Sequence, residues 1–129
     1  MAKSGIVLAV VMLFAFGGIT CSQESVPMIK KGFAGGDEYV VGKSMAERVF
    51  YVIYPTRKMM PRDGAVEMLG DFFAEKQVRD FSVVHDSRQD NVRYLIGRLV
   101  TAKGEYRIHL LLNVSDTKEE ITQIRIESL

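Results

Sequence analysis

The chain has 129 residues, with 17 Lys and Arg against 16 Asp and Glu, which gives a formal net charge of +1. The length fits one domain. The charges are nearly balanced and form no basic stripe, so the sequence lacks the positive footprint that nucleic-acid binding requires. Because only one cysteine is present, an internal disulfide is excluded as well.

The first twenty residues have the layout of a secretory signal peptide. Lys3 gives a positive start, residues 6–16 form an apolar run, and small residues precede Cys21. The run is too short to span a bilayer, and the alternative of a buried core helix would begin without a cap. We therefore expect an exported chain with a signal peptide over residues 1–20, a tether over 21–25 and one domain over 26–129.

Cys21 resembles the lipid-modified cysteine of bacterial lipoproteins, in which the thiol receives diacylglycerol and the cysteine becomes the new N-terminus. The usual motif has Leu three residues earlier and Gly or Ala directly before the cysteine, where this chain has Gly18 and Thr20. The resemblance implies a periplasmic or outer-membrane lipoprotein, which meets the membrane through the lipid anchor only. The alternative is a soluble periplasmic protein.

Two short helices are predicted at the start of the domain. Val26, Ile29 and Phe33 lie three and four residues apart, as on one edge of a helix. A glycine pair ends this helix. Asp37 is a good N-cap for a second helix, which we expect to run to about Arg48.

The middle of the chain predicts a strand followed by the longest helix. Residues 49–54 are β-branched and aromatic and favour a strand, and residues 56–60 form a connector that could add a short edge strand. Pro61 then suits the first turn of a helix that ends near Lys76. This helix carries apolar side chains at i, i+3, i+4, i+7 and i+8, namely Ala65, Met68, Leu69, Phe72 and Phe73.

The last third of the chain predicts consecutive strands. Residues 80–85 form a strand in which Phe81, Val83 and His85 share one face, and residues 86–91 form a polar turn. A hairpin over residues 92–114 turns at Lys103–Gly104, so that one face is apolar and the other is mixed. Residues 115–119 form a turn, and residues 120–127 form the last strand. Consecutive strands with short turns indicate an α+β fold with an antiparallel sheet.

The element order resembles the nuclear transport factor two-like, or cystatin-like, superfamily. Five short motifs between residues 71 and 128 resemble those of a family of short exported bacterial proteins of unknown function. These motifs are DFF, FSVVH, YLIGRLVT, GEYRI and QIRIES. The resemblance implies a cone: a curved antiparallel sheet of four to five strands wrapped around one long helix, with two short N-terminal helices. It implies no activity.

A candidate pocket follows from the side chains expected inside this cone. Its members are aromatic, aliphatic or imidazole groups on the predicted inner face: Tyr51, Phe72, Phe73, His85, Leu95 and Tyr106. His85 could bind a ligand or act as a base, or it could be a strand-end residue bonded to the following turn. No catalytic residue, metal site or cofactor is predicted, because no carboxylate lies in the apolar runs and no metal-ligand spacing occurs.

Two functions remain open at this point. The first is a non-catalytic binding or assembly module, which holds a small apolar ligand in the cone or an envelope protein on the mixed sheet face. The second is a small isomerase or dehydratase that uses His85 and a tyrosine on a hydrophobic substrate. A homodimer through the mixed face is also possible. An open cavity containing His85 would favour a ligand or an enzyme, and an interior filled by Phe72 and Phe73 would favour protein interaction.

Overall fold

The computed structural model describes residues 25–129, so the predicted signal peptide and Cys21 lie outside the described residues. Its three helices are α1 (Ser25–Ala34), α2 (Glu38–Gly42) and α3 (Arg62–Lys76). Its six strands are β1 (Met45–Ile53), β2 (Thr56–Pro61), β3 (Val78–Gln89), β4 (Val92–Thr101), β5 (Gly104–Val114) and β6 (Glu119–Ser128).

The six strands form one mixed sheet in the order β2-β1-β6-β5-β4-β3. All neighbours are antiparallel except β1 and β6, which are parallel. The expectation of a purely antiparallel sheet with four to five strands is therefore wrong in these details, whereas the α+β layout is confirmed. The parallel pair arises because β6, the last strand, returns to lie beside the first one.

The helices follow the predicted pattern at α1 and α3. The α3 helix ends at Lys76, as its apolar stripe indicates, and Gln77 takes a left-handed conformation with φ of 61° directly after it. Asp37 caps α2 by accepting hydrogen bonds from the amides of Tyr39 and Val40. However, α2 ends at Gly42, and residues 45–48 already belong to β1, because β1 pairs with both β2 and β6.

One face of the sheet, the inner face, packs on α1 and α3. Its side chains form a single core with those of the helices; the fully buried ones include Phe33, Tyr51, Leu69, Leu95, Leu99, Ile108, Leu110 and Ile124. Full burial of one such side chain stabilises the fold by roughly 1.5–3 kcal/mol. The other side of the sheet, the outer face, is covered by no element among residues 25–129, since all three helices pack on the inner side.

The central hairpin of β4 and β5 turns one residue earlier than expected. Thr101 pairs with Gly104, which leaves Ala102 and Lys103 as the turn. A turn at Lys103–Gly104 would pair Leu99 with Ile108, whereas its actual partner is Tyr106. Because the register differs by two residues and side chains alternate with period two, every side chain keeps its predicted face.

Candidate functional site

The predicted interior pocket is filled by side chains. Tyr51, Phe72, Phe73 and Leu95 are each no more than 5% exposed and belong to the core. The ring of Phe73 packs edge-on against Phe33, with 5.6 Å between centroids. These four predicted pocket residues are thus brought together, and they act as packing between the sheet and α3.

The hydroxyl of Tyr51 is an exception within this core. It is buried and has no hydrogen-bond partner among residues 25–129. Burial raises the pKa of Tyr51 well above its usual value, and the negative charge of Asp71 on α3 raises it further. The phenol therefore stays neutral at physiological pH, and its unpaired oxygen costs stability.

His85 lies on the outer face, contrary to the prediction. The ladder between β3 and β4 is irregular between Val83 and His85, which pair with the consecutive residues Gly97 and Ile96. The extra residue, Val84, is a β-bulge, and such an insertion reverses the facing of the strand beyond it. His85 is therefore exposed beside the ring of Tyr94, with centroids 6.4 Å apart, and does not join the core.

Tyr106, the last predicted pocket residue, lies at the edge of the core. Its ring packs edge-on against Phe72 at 5.1 Å, and Lys76 lies over it with its Nζ atom 5.8 Å from the ring centroid. These three residues line an open depression of about 530 Å³, which we call the mouth. Its other lining residues are Ile53, Tyr54, Ile126, Glu127 and Ser128. Aromatic rings and an ammonium group are side by side here, which suits an apolar group with a negative charge, although the acidic Glu127 also lines the mouth and a Glu75 carboxylate oxygen lies 3.8 Å from Lys76 Nζ.

A larger depression of about 700 Å³ lies elsewhere, between α2 and α3. Gly42 and Gly70 let the two helices approach, since an added Cβ would come within 2.6 Å of Val66 and 2.5 Å of Glu38, respectively. Its walls are mostly charged and none of the predicted pocket residues lines it.

The outer face contains a hydrogen-bond network of three side chains that the sequence did not predict. Tyr94 donates its hydroxyl hydrogen bond to His109 Nδ1 over 2.6 Å, and His109 Nε2 donates to Glu127 over 2.9 Å. This polarity is consistent, because a neutral imidazole with its proton on Nε2 leaves Nδ1 free to accept. The His109 side chain is only 13% exposed.

From its place on the mixed face of the hairpin, His109 is expected to be an exposed surface residue, and this expectation is wrong. The register of the hairpin explains the error: His109 pairs with Ile96 and with Arg125, which sets Tyr94 and Glu127 diagonally beside it. The period-two pattern did predict that Tyr94 and His109 share a face, but the contact itself depends on the exact pairing.

Around this hydrogen-bond network lie apolar side chains, most of them half-buried, which we call the outer band. They share the outer face and lie on four strands: Met59, Phe50, Val52, Leu111, Tyr94 and Ile96. Between β1 and β5, the strand β6 contributes the polar residues Gln123 and Arg125 to this face. Met59 is 48% exposed. Tyr, Phe and Met, which occur in the outer band, are enriched in protein–protein interfaces relative to the rest of the surface.

The described residues can also be compared with the requirements of a metal site and of a membrane-spanning helix. Between residues 25 and 129, no group of three or more His, Cys, Asp or Glu side chains is arranged to hold a metal ion. In the same range, no helix has the length and apolar character needed to cross a membrane.

Comparison with known proteins agrees with the architecture. The crystal structure of a DUF4783 family protein from Bacteroides fragilis is 28% identical, with a TM-score of 0.75, and the match covers 79% of this chain and 96% of that one. A DUF4783 family protein from Bacteroides ovatus is 25% identical, with a TM-score of 0.76 over 79% of this chain and 93% of that one.

A more distant match shows the fold alone. An NTF-2 like protein of unknown function from Silicibacter pomeroyi is 14% identical, with a TM-score of 0.58 and full coverage of both chains. No curated protein matches the chain significantly. The family model for a domain of unknown function, DUF4783, matches residues 26–127, which is most of the chain. The chain therefore belongs to the DUF4783 family, with a nuclear transport factor two-like fold.

Proposed function

We propose that this protein is an exported, lipid-anchored and non-catalytic module of the bacterial envelope, which binds an envelope protein through the outer face of its sheet. One observation carries the proposal: the interior is filled by buried side chains, including Phe72 and Phe73, while the outer band remains uncovered. Predicted pocket residues that serve as core packing give little support for a substrate in the interior, whereas uncovered apolar side chains on the outer face favour a protein partner.

Export and lipidation rest on the sequence. Residues 1–20 have the charge and apolar pattern of a signal peptide, and Cys21 follows directly. Mass spectrometry of the mature protein tests this: the expected N-terminus is Cys21 carrying diacylglycerol, and Cys21→Ser removes the lipid mass. An unmodified mature N-terminus would instead favour the soluble periplasmic alternative, and an uncleaved chain would contradict export.

The outer band suits a partner for two reasons. Four of its six side chains are half-buried already, so that binding removes the remaining apolar area from water. The imidazole of His109 is held by Tyr94 and Glu127, which fixes these side chains before contact. A preorganised surface loses less conformational entropy when it binds.

Site-specific photo-crosslinking tests the surface. We expect a photoreactive residue at Leu111, in the outer band, to yield one discrete adduct in the producing cell. The matched control is Tyr39, which is 71% exposed on α2, away from the sheet. Equal labelling from both positions, or none from Leu111, would contradict the proposal. An adduct at twice the mass of the chain would identify a homodimer as the occupant of this face.

A second candidate function is the binding of a small apolar ligand at the mouth. The juxtaposition of Lys76, Tyr106 and Phe72 favours an aromatic anion. The fluorescent probe anilinonaphthalene sulfonate has this chemistry. We expect it to bind the folded chain and Lys76→Gln to weaken binding about tenfold, the loss of one charge-assisted contact. No binding by the folded chain would remove this candidate.

The isomerase or dehydratase hypothesis receives less support. It required His85 beside a tyrosine in the interior, but His85 is on the outer face. The buried hydroxyl of Tyr51 lacks a neighbouring base inside the core, since the side chain of Asp71 is exposed. General acid–base catalysis needs both groups within reach of one substrate.

A further inference from the structure

The strand β3 has an open edge. It is the last strand in the order of the sheet and has 12 residues, and among residues 25–129 only β4 pairs with it. Residues 84–89 are all exposed. A long edge of this kind presents free backbone N–H and C=O groups, which are a template for one more strand.

The geometry of the hairpin formed by β3 and β4 determines which backbone groups of β3 are free. A two-residue turn joins the two strands, so the pair of Gln89 and Val92 closes this hairpin. Such a closing pair exchanges both backbone hydrogen bonds, and alternate residues of a strand direct these groups to opposite sides. Gln89 and Ser87 therefore direct theirs to β4, and Asp86 and Arg88 direct theirs to the open edge.

The charges on this segment are self-complementary. Arg88 lies opposite Arg93 of β4 and forms no salt bridge with another residue between 25 and 129. Asp86 lies two residues away on the same face, and its side chain is 38% exposed. Although Asp86 already accepts hydrogen bonds from Arg93, a carboxylate has lone pairs left for a second cation.

We propose that β3 pairs with β3 of a second copy of this chain, antiparallel and with two-fold symmetry about Ser87. In this register the free backbone groups of Asp86 meet those of Arg88 from the other copy, and the two side chains form an ion pair on each side of the axis. The backbone pattern and the charge pattern select the same register. This contact is separate from the outer band, so it leaves the proposed partner surface uncovered.

Disulfide crosslinking tests the register directly. In the full chain carrying Cys21→Ser, in mild detergent, Ser87→Cys places two thiols at the symmetry axis. The Cα atoms of a pair without hydrogen bonds lie about 4.5 Å apart, within the range of a disulfide. We expect a covalent dimer on mild oxidation. The control Ser82→Cys is also exposed on β3, but this register sets its two copies roughly 30 Å apart, so it stays monomeric.

Sedimentation equilibrium tests the charges. Arg88→Glu sets like charges against each other on both sides of the axis, and we expect the dissociation constant of the dimer to rise at least about tenfold. Arg79→Glu, which changes an exposed charge of β3 beyond the bulge, should leave it unchanged. A chain that stays monomeric to about 1 mM would overturn the proposal. So would a dimer that crosslinks through Leu111→Cys in the outer band and not through Ser87→Cys.

Discussion

Replacement of Tyr51 by phenylalanine should stabilise the protein. The ring is fully buried, and its hydroxyl has no partner among residues 25–129. A buried hydroxyl without a hydrogen bond costs about 1–3 kcal/mol in mutational data, and Tyr51→Phe removes that cost while it keeps the packing of the ring. We expect the free energy of unfolding to rise by about 1–2 kcal/mol at pH 7. The melting temperature should rise by about 4–8 °C per kcal/mol for a domain near this size.

The same variant should change the alkaline side of the stability curve. The pKa of Tyr51 is raised in the folded state by burial and by Asp71, whereas the unfolded chain ionises near the ordinary value of about 10. Below about pH 10 this difference in pKa leaves the free energy of unfolding unchanged. Above that pH the unfolded chain ionises first, so the free energy of unfolding falls by about 1.4 kcal/mol per pH unit. Tyr51→Phe lacks this loss.

Urea unfolding at pH 7 and between about pH 10 and 11 measures both effects. The control is Tyr39→Phe, which changes a tyrosine that is 71% exposed and should alter neither quantity. A Tyr51→Phe protein that is less stable than the parent at pH 7 would refute the reasoning. It would mean that the hydroxyl makes a hydrogen bond in solution.

Three further variants test the fold and the outer face. Gly97→Ala adds a Cβ that clashes with two ring carbons of Phe81, so we expect the free energy of unfolding in urea to fall by about 1–3 kcal/mol. Arg93→Met removes the guanidinium that lowers the pKa of Asp86 through its hydrogen bonds. The ionised Asp86 stabilises the folded parent above about pH 4, and this contribution is lost as the pH falls through the lowered pKa of Asp86. The variant lacks it, so between about pH 4 and 2 its free energy of unfolding should fall less than that of the parent. Tyr94→Phe removes the hydrogen bond to the imidazole of His109 and should lower the free energy of unfolding by about 1 kcal/mol. An unchanged midpoint of urea unfolding would contradict that hydrogen bond.

Where a signal is local, the sequence was sufficient. The apolar stripe from Ala65 to Phe73 predicted α3 and its end at Lys76, because helical periodicity is a property of consecutive residues. Alternation placed the side chains of β4 and β5 on their correct faces even though the turn was set one residue late. The buried members of the predicted pocket followed from the same two periods.

His85 shows where local signals fail. The apolar alternation through Phe81 and Val83 extends without a break to His85, yet the bulge at Val84 reverses its face. A bulge is a property of two paired strands, and nothing in the strand alone marks it. The contact of His109 with Tyr94 and the parallel pairing of β1 with β6 depend in the same way on partners distant in the chain.

The sequence by itself determined the family, the α+β class, the central helix and the division of the hairpin into an apolar and a mixed face. These features follow from hydrophobic periodicity and short sequence motifs, which are properties of residues close together in the chain. Only the tertiary structure decided that four of the predicted pocket residues serve as core packing, that both histidines lie on the outer face and that β3 ends the sheet. Each of these depends on strand order and register, which are fixed when distant segments compete to bury the same apolar surface.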